Sequence, residues 1–437
     1  MIAWLRSLDP RLPRSVYTLQ LGGLCNAFGN GLVLPFTFIY LYNVRGMGTA
    51  TVGLIVATNA VVSIVAGPAM GTLIDRVGGR RMLAVSLLFL AVGYSLFPFV
   101  TVPWQGFVAS AITGIGIGGF YPAQSTLIAG LTPPERRPAA FAMQRVVMNL
   151  GIGLGALAGG LVATTDSVAS FTVLFVGDAA TFLVYLAVLY AFVPEPARAS
   201  AAHGARSGRY GEVLRHRAFM GVLAINTLFI LAGFSGFELL PVYAKNEAGV
   251  SEHAIGLVFL VNTIVIVALQ LPIAKLAQGH RRMRTLALLG VLWAASWALV
   301  PLAGWWVTGA AAALLLAFAM SVFAVGECLH GAVQAPLVAD LADHRLIGRY
   351  MALSALSWQV GFALGPAVGG FVLGVSPVAV WFGAAAVCLA TSAAALALEP
   401  SLPTRVRRTP VAAAEAPRAA PADGRGAAGV SPAGTTQ

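Results

Sequence analysis

The sequence predicts an all-α integral membrane protein with twelve transmembrane helices, and three observations support this fold class. The 437 residues are 58% hydrophobic and only 10% charged, whereas a soluble protein would carry about 25% charged residues. The apolar residues form long blocks, many of which reach the ~20 residues that cross a bilayer. The second half of the chain also repeats the first, which predicts two six-helix bundles with pseudo-symmetry.

The predicted helices 1 to 12 follow these apolar blocks. Their spans are 16–42, 51–74, 82–101, 105–131, 139–163, 170–193, 219–243, 254–277, 285–303, 308–338, 350–374 and 378–397. The stretch that follows helix 6 is polar, and the chain after helix 12 is rich in Ala, Pro, Gly and Arg without apolar periodicity. We therefore divide the chain into an N-terminal segment 1–15, a first bundle 16–193, a linker 194–218, a second bundle 219–397 and a disordered tail 398–437.

The net charge of +11 is a topology signal and does not indicate nucleic-acid binding. If the N-terminus is cytoplasmic, 24 of the 27 Lys and Arg residues fall in the cytoplasmic segments. Arg45 and Lys245 fall on the opposite side, and Arg145 lies within a helix. The positive-inside rule thus predicts a multi-pass protein of the cell membrane with both termini in the cytoplasm.

The internal repeat is visible as fixed offsets between the halves. A shift of 210 residues places helices 4 and 5 on helices 10 and 11 without a gap, so that Gln124 meets Gln334. A shift of 203 residues places helix 2 on helix 8, so that Asn59 meets Asn262. Two parallel six-helix halves predict a central site between bundles that rock against each other.

The loop after helix 2 carries the most specific motif, with Gly71, Asp75, Arg76, Gly78 and Arg80 in register. It resembles the signature loop G-x-L-x-D-R-x-G-R-R/K of the major facilitator superfamily, apart from one glycine in place of an arginine. The resemblance covers roughly residues 16 to 397 and implies a transporter of the major facilitator fold. In that family the carboxylate at the Asp75 position sits against the N-terminus of helix 11 and gates the site. The alternative is a solvated turn.

Helices 5 and 11 share a glycine pattern. It resembles the antiporter-associated motif G-x-x-x-G-P-x-x-G-G and comprises Gly151, Gly155, Gly159 and Gly160 in helix 5 and Gly365, Pro366, Gly369 and Gly370 in helix 11. Ala156 replaces the motif proline in helix 5, and Ser110 replaces a family arginine in helix 4. Both departures weaken an assignment to antiport, and plain small-residue packing is the alternative role of the glycines.

Ionisable residues inside predicted helices are few, and such residues are costly in lipid and usually functional. They are Arg145, Asp178, Glu238, Glu327 and His330. Glu327 and His330 are three residues apart on one helix face, and a carboxylate in an apolar cavity can exchange a proton near neutral pH. We expect Glu327, with His330, to bind the transported proton or a cationic substrate. The alternatives are a structural hydrogen bond at Glu327, an interfacial position for Glu238 and simple packing for Asp178.

Polar and aromatic residues of the predicted helices are candidates for lining a central cavity. They are Asn26, Asn30, Asn59, Tyr121, Gln124, Gln144, Asn149, Asn226, Asn262, Gln334 and Gln359.

The resemblance is to multidrug-efflux members of the family, which implies secondary active transport by alternating access. We expect proton-coupled efflux of amphipathic or drug-like molecules by a monomer in the lipid bilayer. The proton gradient would supply the energy, and no cofactor, metal or nucleic acid would be needed. The alternatives are a metabolite facilitator, a proton symporter for uptake, or a membrane receptor or scaffold. The sequence has neither a phosphate-binding loop nor clustered metal ligands, which argues against an ATP-driven pump and an enzyme.

Overall fold

Twelve long apolar helices cross the molecule in the computed structural model, which describes residues 12–133, 136–195, 210–234, 236–343 and 346–409. Their bounds follow in chain order. They are α1 Arg14–Val33, α2 Thr49–Val77, α3 Gly79–Leu96, α4 Pro103–Leu131, α5 Arg137–Val162, α6 Val168–Phe192, α7 Arg217–Phe229, α8 Glu252–Leu276, α9 Arg282–Leu299, α10 Gly309–Leu341, α11 Ile347–Val375 and α12 Ala379–Leu398. The predicted all-α membrane fold is confirmed, and predicted and observed helix ends differ by at most three residues when short continuations are included.

The first helix of each half is interrupted. α1 ends before Pro35 and continues as Thr37–Ile39 and the π-helical turn Tyr40–Val44. α7 runs into the π-helical turn Ile230–Phe234 and continues as Gly236–Asn246. The proline explains the break in α1, because it has no N–H group to donate.

The helices pair in the same way in both halves. α1 packs against α5 and α6, α2 against α4, α8 against α10, and α9 against α10 and α12. Between the halves, α2 packs along α11 and α5 packs along α8. The two interhalf pairs are related by the sequence repeat, so the interface itself is pseudo-symmetric.

The two ends of the molecule differ in charge, and we name them accordingly. The charge-rich face carries the loops after α2, α4, α8 and α10 and the linker after α6. The charge-poor face carries the loops after α1, α3, α5, α7, α9 and α11.

The chain after α12 differs from the prediction of a tail that is disordered from residue 398. Residues 399–409 form two short 3₁₀ turns and pair with the loop after α8 through the hydrogen bonds Gly279 N to Thr409 O (2.9 Å) and Arg282 N to Arg407 O (2.8 Å). Arg282 is fully buried and also bonds Asp340 at 2.5 Å. The backbone of this segment therefore finds partners that composition does not reveal, while 410–437 lie outside the described residues.

The predicted linker is ordered at its end. Tyr210–Leu214 form a short helix, with Val213 fully buried, and α7 starts at Arg217. Residues 196–209 of the linker and 1–11 of the N-terminal segment lie outside the described part of the chain.

Candidate transport site between the two halves

The halves are in closest contact at the charge-poor face, where glycines allow the helices to cross. A Cβ atom on Gly370 of α11 would lie 2.6 Å from Thr49 O of α2, and one on Gly160 of α5 would lie 2.7 Å from Glu252 O of α8. Gly53 meets Pro366 O in the first crossing, and a Cβ on Gly256 would lie 2.6 Å from Ala156 O in the second. No side chain larger than hydrogen fits at these four glycines without a shift of the backbone.

These two crossings are copies of each other under the repeat. Gly53 and Gly256 are separated by 203 residues, and Gly160 and Gly370 by 210. The predicted motif therefore serves two surfaces. Gly155 and Gly159 contact α1 within their own half, while Gly160 and Gly370 contact the opposite half.

Polar side chains complete the contact at the charge-poor face. Asn43 and Asn246 exchange amide hydrogen bonds of 2.6 and 3.2 Å between the halves. Glu252 accepts a hydrogen bond of 3.1 Å from Thr165 N of the first half and forms an ion pair with Lys245 at 2.9 Å. Glycine crossings and polar bridges together close this face.

Toward the charge-rich face the corresponding helix surfaces are open. Exposed residues there repeat at the 210-residue shift; they are Phe141, Ala142, Arg145 and Val146 of α5 and Met351, Ala352, Ala355 and Leu356 of α11. Gly67 and Gly71 of α2 have no neighbour within 4 Å in the space that a Cβ would occupy. A cavity between the halves is therefore closed at one face and open at the other.

Amide and hydroxyl groups form the cavity wall of the first half. Gln144 Nε2 donates to Gln124 Oε1 at 2.6 Å, and Gln124 Nε2 donates to Tyr185 OH at 3.0 Å. Asn26, Asn30 and Tyr121 line the same recess of about 390 Å³, open mouth included. Four of the predicted cavity residues are thus brought together here.

Aromatic rings dominate the wall of the second half and enclose His330. His330 bonds Asn226 Oδ1 at 2.9 Å through Nε2, and Asn226 donates to Ser357 Oγ at 2.7 Å. The rings of Trp293 and Trp358 lie 6.1 and 5.3 Å from the imidazole. His330 is 1% exposed, so it is held inside the second half while Glu327, one turn earlier, is only half-buried.

Arg145 reaches from the first half to the second. Its guanidinium carbon and both terminal nitrogens lie 3.4 Å from the position of a Cβ on Gly331, one turn after Glu327 on α10. Arg145 and Glu327 interact electrostatically, although no ion pair within 4.0 Å joins them in the described part of the chain. The cavity therefore presents one cation and one carboxylate on opposite walls. Sequence alone placed Arg145 against Asp178 only by a long reach, and did not pair it with α10.

Two further carboxyl groups are buried near the closed end. Asp178 is fully buried, and its Oδ1 lies 3.5 Å from the Thr181 hydroxyl, while Oδ2 has no hydrogen-bond partner among the described residues. Glu238 Oε2 is likewise buried and without a partner in the described chain. Both carboxyl groups lie within electrostatic range of Tyr94. A buried carboxyl group without a partner is tolerated in its neutral form.

Several predicted cavity residues instead join helices. Asn59 donates to Thr113 Oγ1 at 2.8 Å, and its repeat mate Asn262 donates to Met320 O at 3.3 Å. Gln359 donates to Ser63 Oγ at 2.7 Å and so links α11 to α2. Gln334 is buried with its Nε2 unpartnered among the described residues. The cavity roles of these residues and of half-buried Asn149 remain predictions.

The predicted gating loop is tied to its own half. Gly78 adopts a φ of 101°, and Arg80 donates to Tyr190 O at 2.7 Å and through its backbone to Glu195 at 3.4 Å. In the second half Arg281 bonds Glu399 at 2.5 Å in the equivalent place. The side chain of Asp75 lies outside the described part of the structure, so its gating role stays a prediction. The Glu-Pro pairs after α6 and α12 were the sequence signal for these contacts, and sequence analysis missed it.

The sequence profile of the Major Facilitator Superfamily matches residues 19–251 and 230–432. The chain belongs to this family. Multidrug resistance protein MdtH of Cronobacter sakazakii is 26% identical over 357 residues, which cover 82% of this chain and 86% of that protein. The MFS-type transporter YqjV of Bacillus subtilis is 25% identical, with the same two coverages. The family assignment confirms the resemblance and identifies a multi-pass membrane transporter.

Solved structures show the same fold. A peptide transporter POT in complex with sulfate superposes with a TM-score of 0.72 at 18% identity and covers 91% of this chain and 96% of its own. A bacterial homologue of the human lysosomal transporter Spinster, in an inward-facing and occupied conformation, superposes with a TM-score of 0.69 at 13% identity, covering 90% and 98%. At these identities the likeness concerns the fold alone.

Proposed function

We propose that this transporter exports amphipathic or drug-like small molecules in exchange for protons by alternating access. The observation that carries the proposal is the cavity, which is closed at the charge-poor face and open at the charge-rich face. The positive-inside rule makes the charge-rich face cytoplasmic, so the described state is open to the cytoplasm. The names of the MdtH relatives, which cover most of the chain, favour efflux of drugs.

The cavity walls suit an amphipathic substrate. Phe234 and Trp358 offer apolar faces in the second half, while Gln124 and Gln144 offer hydrogen bonds in the first. A few fixed polar groups among apolar side chains are typical of ligand sites that orient a hydrophobic molecule.

Glu327 is the proposed coupling residue. It is half-buried on the cavity wall and faces the cation Arg145, so proton binding at Glu327 would change the net charge of the cavity. A cationic substrate and a proton would then compete for the same carboxylate. Asp178 and Glu238, which lie deeper, are the alternative proton carriers.

A second candidate function is symport of a zwitterionic metabolite. The opposed charges of Arg145 and Glu327 favour it, because an ammonium and a carboxylate of one substrate could bind the two walls together. A fluorescent lipophilic cation and a zwitterionic amino acid, offered separately to the same vesicles, distinguish the two candidates.

The test is flux in proteoliposomes with an imposed pH gradient. With Glu327→Gln we expect gradient-driven flux of a lipophilic cation to fall at least tenfold, since the exchangeable proton is lost, while counterflow without a gradient survives. Glu247→Gln, an exposed carboxylate at the charge-poor face, is the matched control and should leave flux unchanged. Unaltered gradient dependence in Glu327→Gln would contradict the assignment, and the same experiment on Asp178→Asn would then identify the alternative.

A further inference from the structure

An apolar pocket lies away from the transport cavity, between α7, α11 and α12. It measures about 650 Å³ with its open mouth and is lined by Leu231, Leu239, Val368, Val372, Ala384 and Val387 among others. α12 packs against α7, α9 and α11 of its own half, so the side of the pocket that it borders faces lipid. Its size is within the range of about 300–1,000 Å³ that ligand sites occupy.

One hydrogen-bond donor interrupts this apolar lining. Trp381 borders the pocket and is 1% exposed, and its Nε1–H has no acceptor among the described residues. A buried indole N–H without an acceptor costs about 1–3 kcal/mol, and buried Trp N–H groups usually find a partner. The pocket therefore lacks one component, which is a hydrogen-bond acceptor on an otherwise apolar molecule.

The depth of Trp381 identifies the source of such a molecule. Trp381 is the third residue of α12, which places its backbone about 3 Å below the start of the helix at 1.5 Å per residue. That level is the border between the polar headgroups and the hydrocarbon, where the ester carbonyls of phospholipids lie. The pocket extends from there toward Gly365 and Val387, which are two to three helical turns deeper in the bilayer.

We propose that this pocket binds one acyl chain of a phospholipid from the leaflet at the charge-poor face, with the ester carbonyl accepting a hydrogen bond from Trp381 Nε1. The apolar side chains of α7 and α11 hold the chain. Because the lipid packs against Leu231 and Leu239 on either side of the π-helical turn of α7, it supports the interrupted helix whose other face borders the transport cavity. The proposal does not depend on which solute is transported.

The experiment measures lipid binding to the purified full-length protein by native mass spectrometry after delipidation. Dioleoyl phosphatidylglycerol is titrated against its diether analogue, which has no ester carbonyl. Wild type should bind one diester lipid about three- to tenfold more tightly than the diether lipid, the factor expected for one hydrogen bond. Trp381→Phe should lose that preference and bind both lipids with the weaker affinity.

Two further variants control for folding and for the pocket. Trp306→Phe removes an indole that is 80% exposed at the same face and should retain the preference. Ala384→Phe fills the pocket and should remove the tight lipid adduct while its melting temperature stays close to that of wild type. Equal binding of the diester and diether lipids by wild type would overturn the proposal. Displacement of the lipid by a fluorescent lipophilic cation would overturn it too, because the pocket would then be a substrate site.

Discussion

The two ends of the interface between the halves use polar side chains in opposite ways. At the charge-poor face Asn43 bonds Asn246, and Glu252 bonds Thr165, so the bonds run from one half to the other. At the charge-rich face the bonds of Arg80 and Arg281 stay within one half. The contrast teaches that each half is made rigid at the charge-rich face, while the closed state is held together at the charge-poor face.

The largest effect should come from a glycine crossing. Gly370→Val places a branched side chain where a Cβ alone would lie 2.6 Å from Thr49 O, and overpacking of this kind costs about 1–3 kcal/mol. We expect the charge-poor face to open and transport to fall at least tenfold, measured as flux and as labelling of a cysteine placed at Asn246.

Gly67→Val is the matched control on α2, since Gly67 has no neighbour within 4 Å. It should leave labelling at the charge-poor face at the wild-type level. Equal labelling of Gly370→Val and wild type would show that the crossing does not close this face.

A smaller effect should follow from the loss of one interhalf bridge. Glu252→Gln keeps an acceptor for Thr165 N but removes the charge that pairs with the partly exposed Lys245. At about 1 kcal/mol for such a pair, the open population should rise roughly fivefold. Labelling at Asn246 measures the shift, and Glu247→Gln, an exposed neighbour, should show none.

The smallest effect should arise at the charge-rich face, and it should concern stability only. His216 bonds the Tyr350 hydroxyl at 2.9 Å within the second half, and burial lowers the pKa of His216 below its usual value. The folded protein therefore binds fewer protons than the unfolded chain, so the stabilisation is complete above the unfolded pKa of about 6.5 and is lost as the pH falls below it.

Melting temperatures of the purified protein between pH 8 and pH 5 test this expectation. Wild type should lose more stability than His216→Gln over that range, and labelling at Asn246 should not change with either. A His216→Gln variant with the same pH profile as wild type would rule out His216 as the source.

The sequence predicted the helices and the symmetry, because both follow from local hydropathy and fixed spacing. It also placed Gly160 and Gly370 in packing positions, since small residues at helical spacing allow close approach. It did not predict that Arg145 reaches α10 or that His330 faces Asn226. Those contacts depend on the rotation of each helix about its axis, and a helix that is apolar all round gives no moment from which to read that rotation.

The order of the chain after α12 was missed for a related reason. The backbone bonds between Gly279 and Thr409 join segments that are far apart in sequence, and Ala-, Pro- and Arg-rich composition carries no record of such a partner. Hydrophobic periodicity detects an apolar face and cannot detect a polar strand-like contact at a helix end.

The most direct test of alternating access is a pair of distances measured by electron spin resonance in proteoliposomes. Spin labels at Arg81 and Arg284 report on the charge-rich face, and labels at Thr101 and Trp306 report on the charge-poor face. When an inward-directed pH gradient is imposed, the first distance should shorten while the second lengthens. Distances that stay fixed, or that change in the same direction, would contradict an account in which the two faces open in turn.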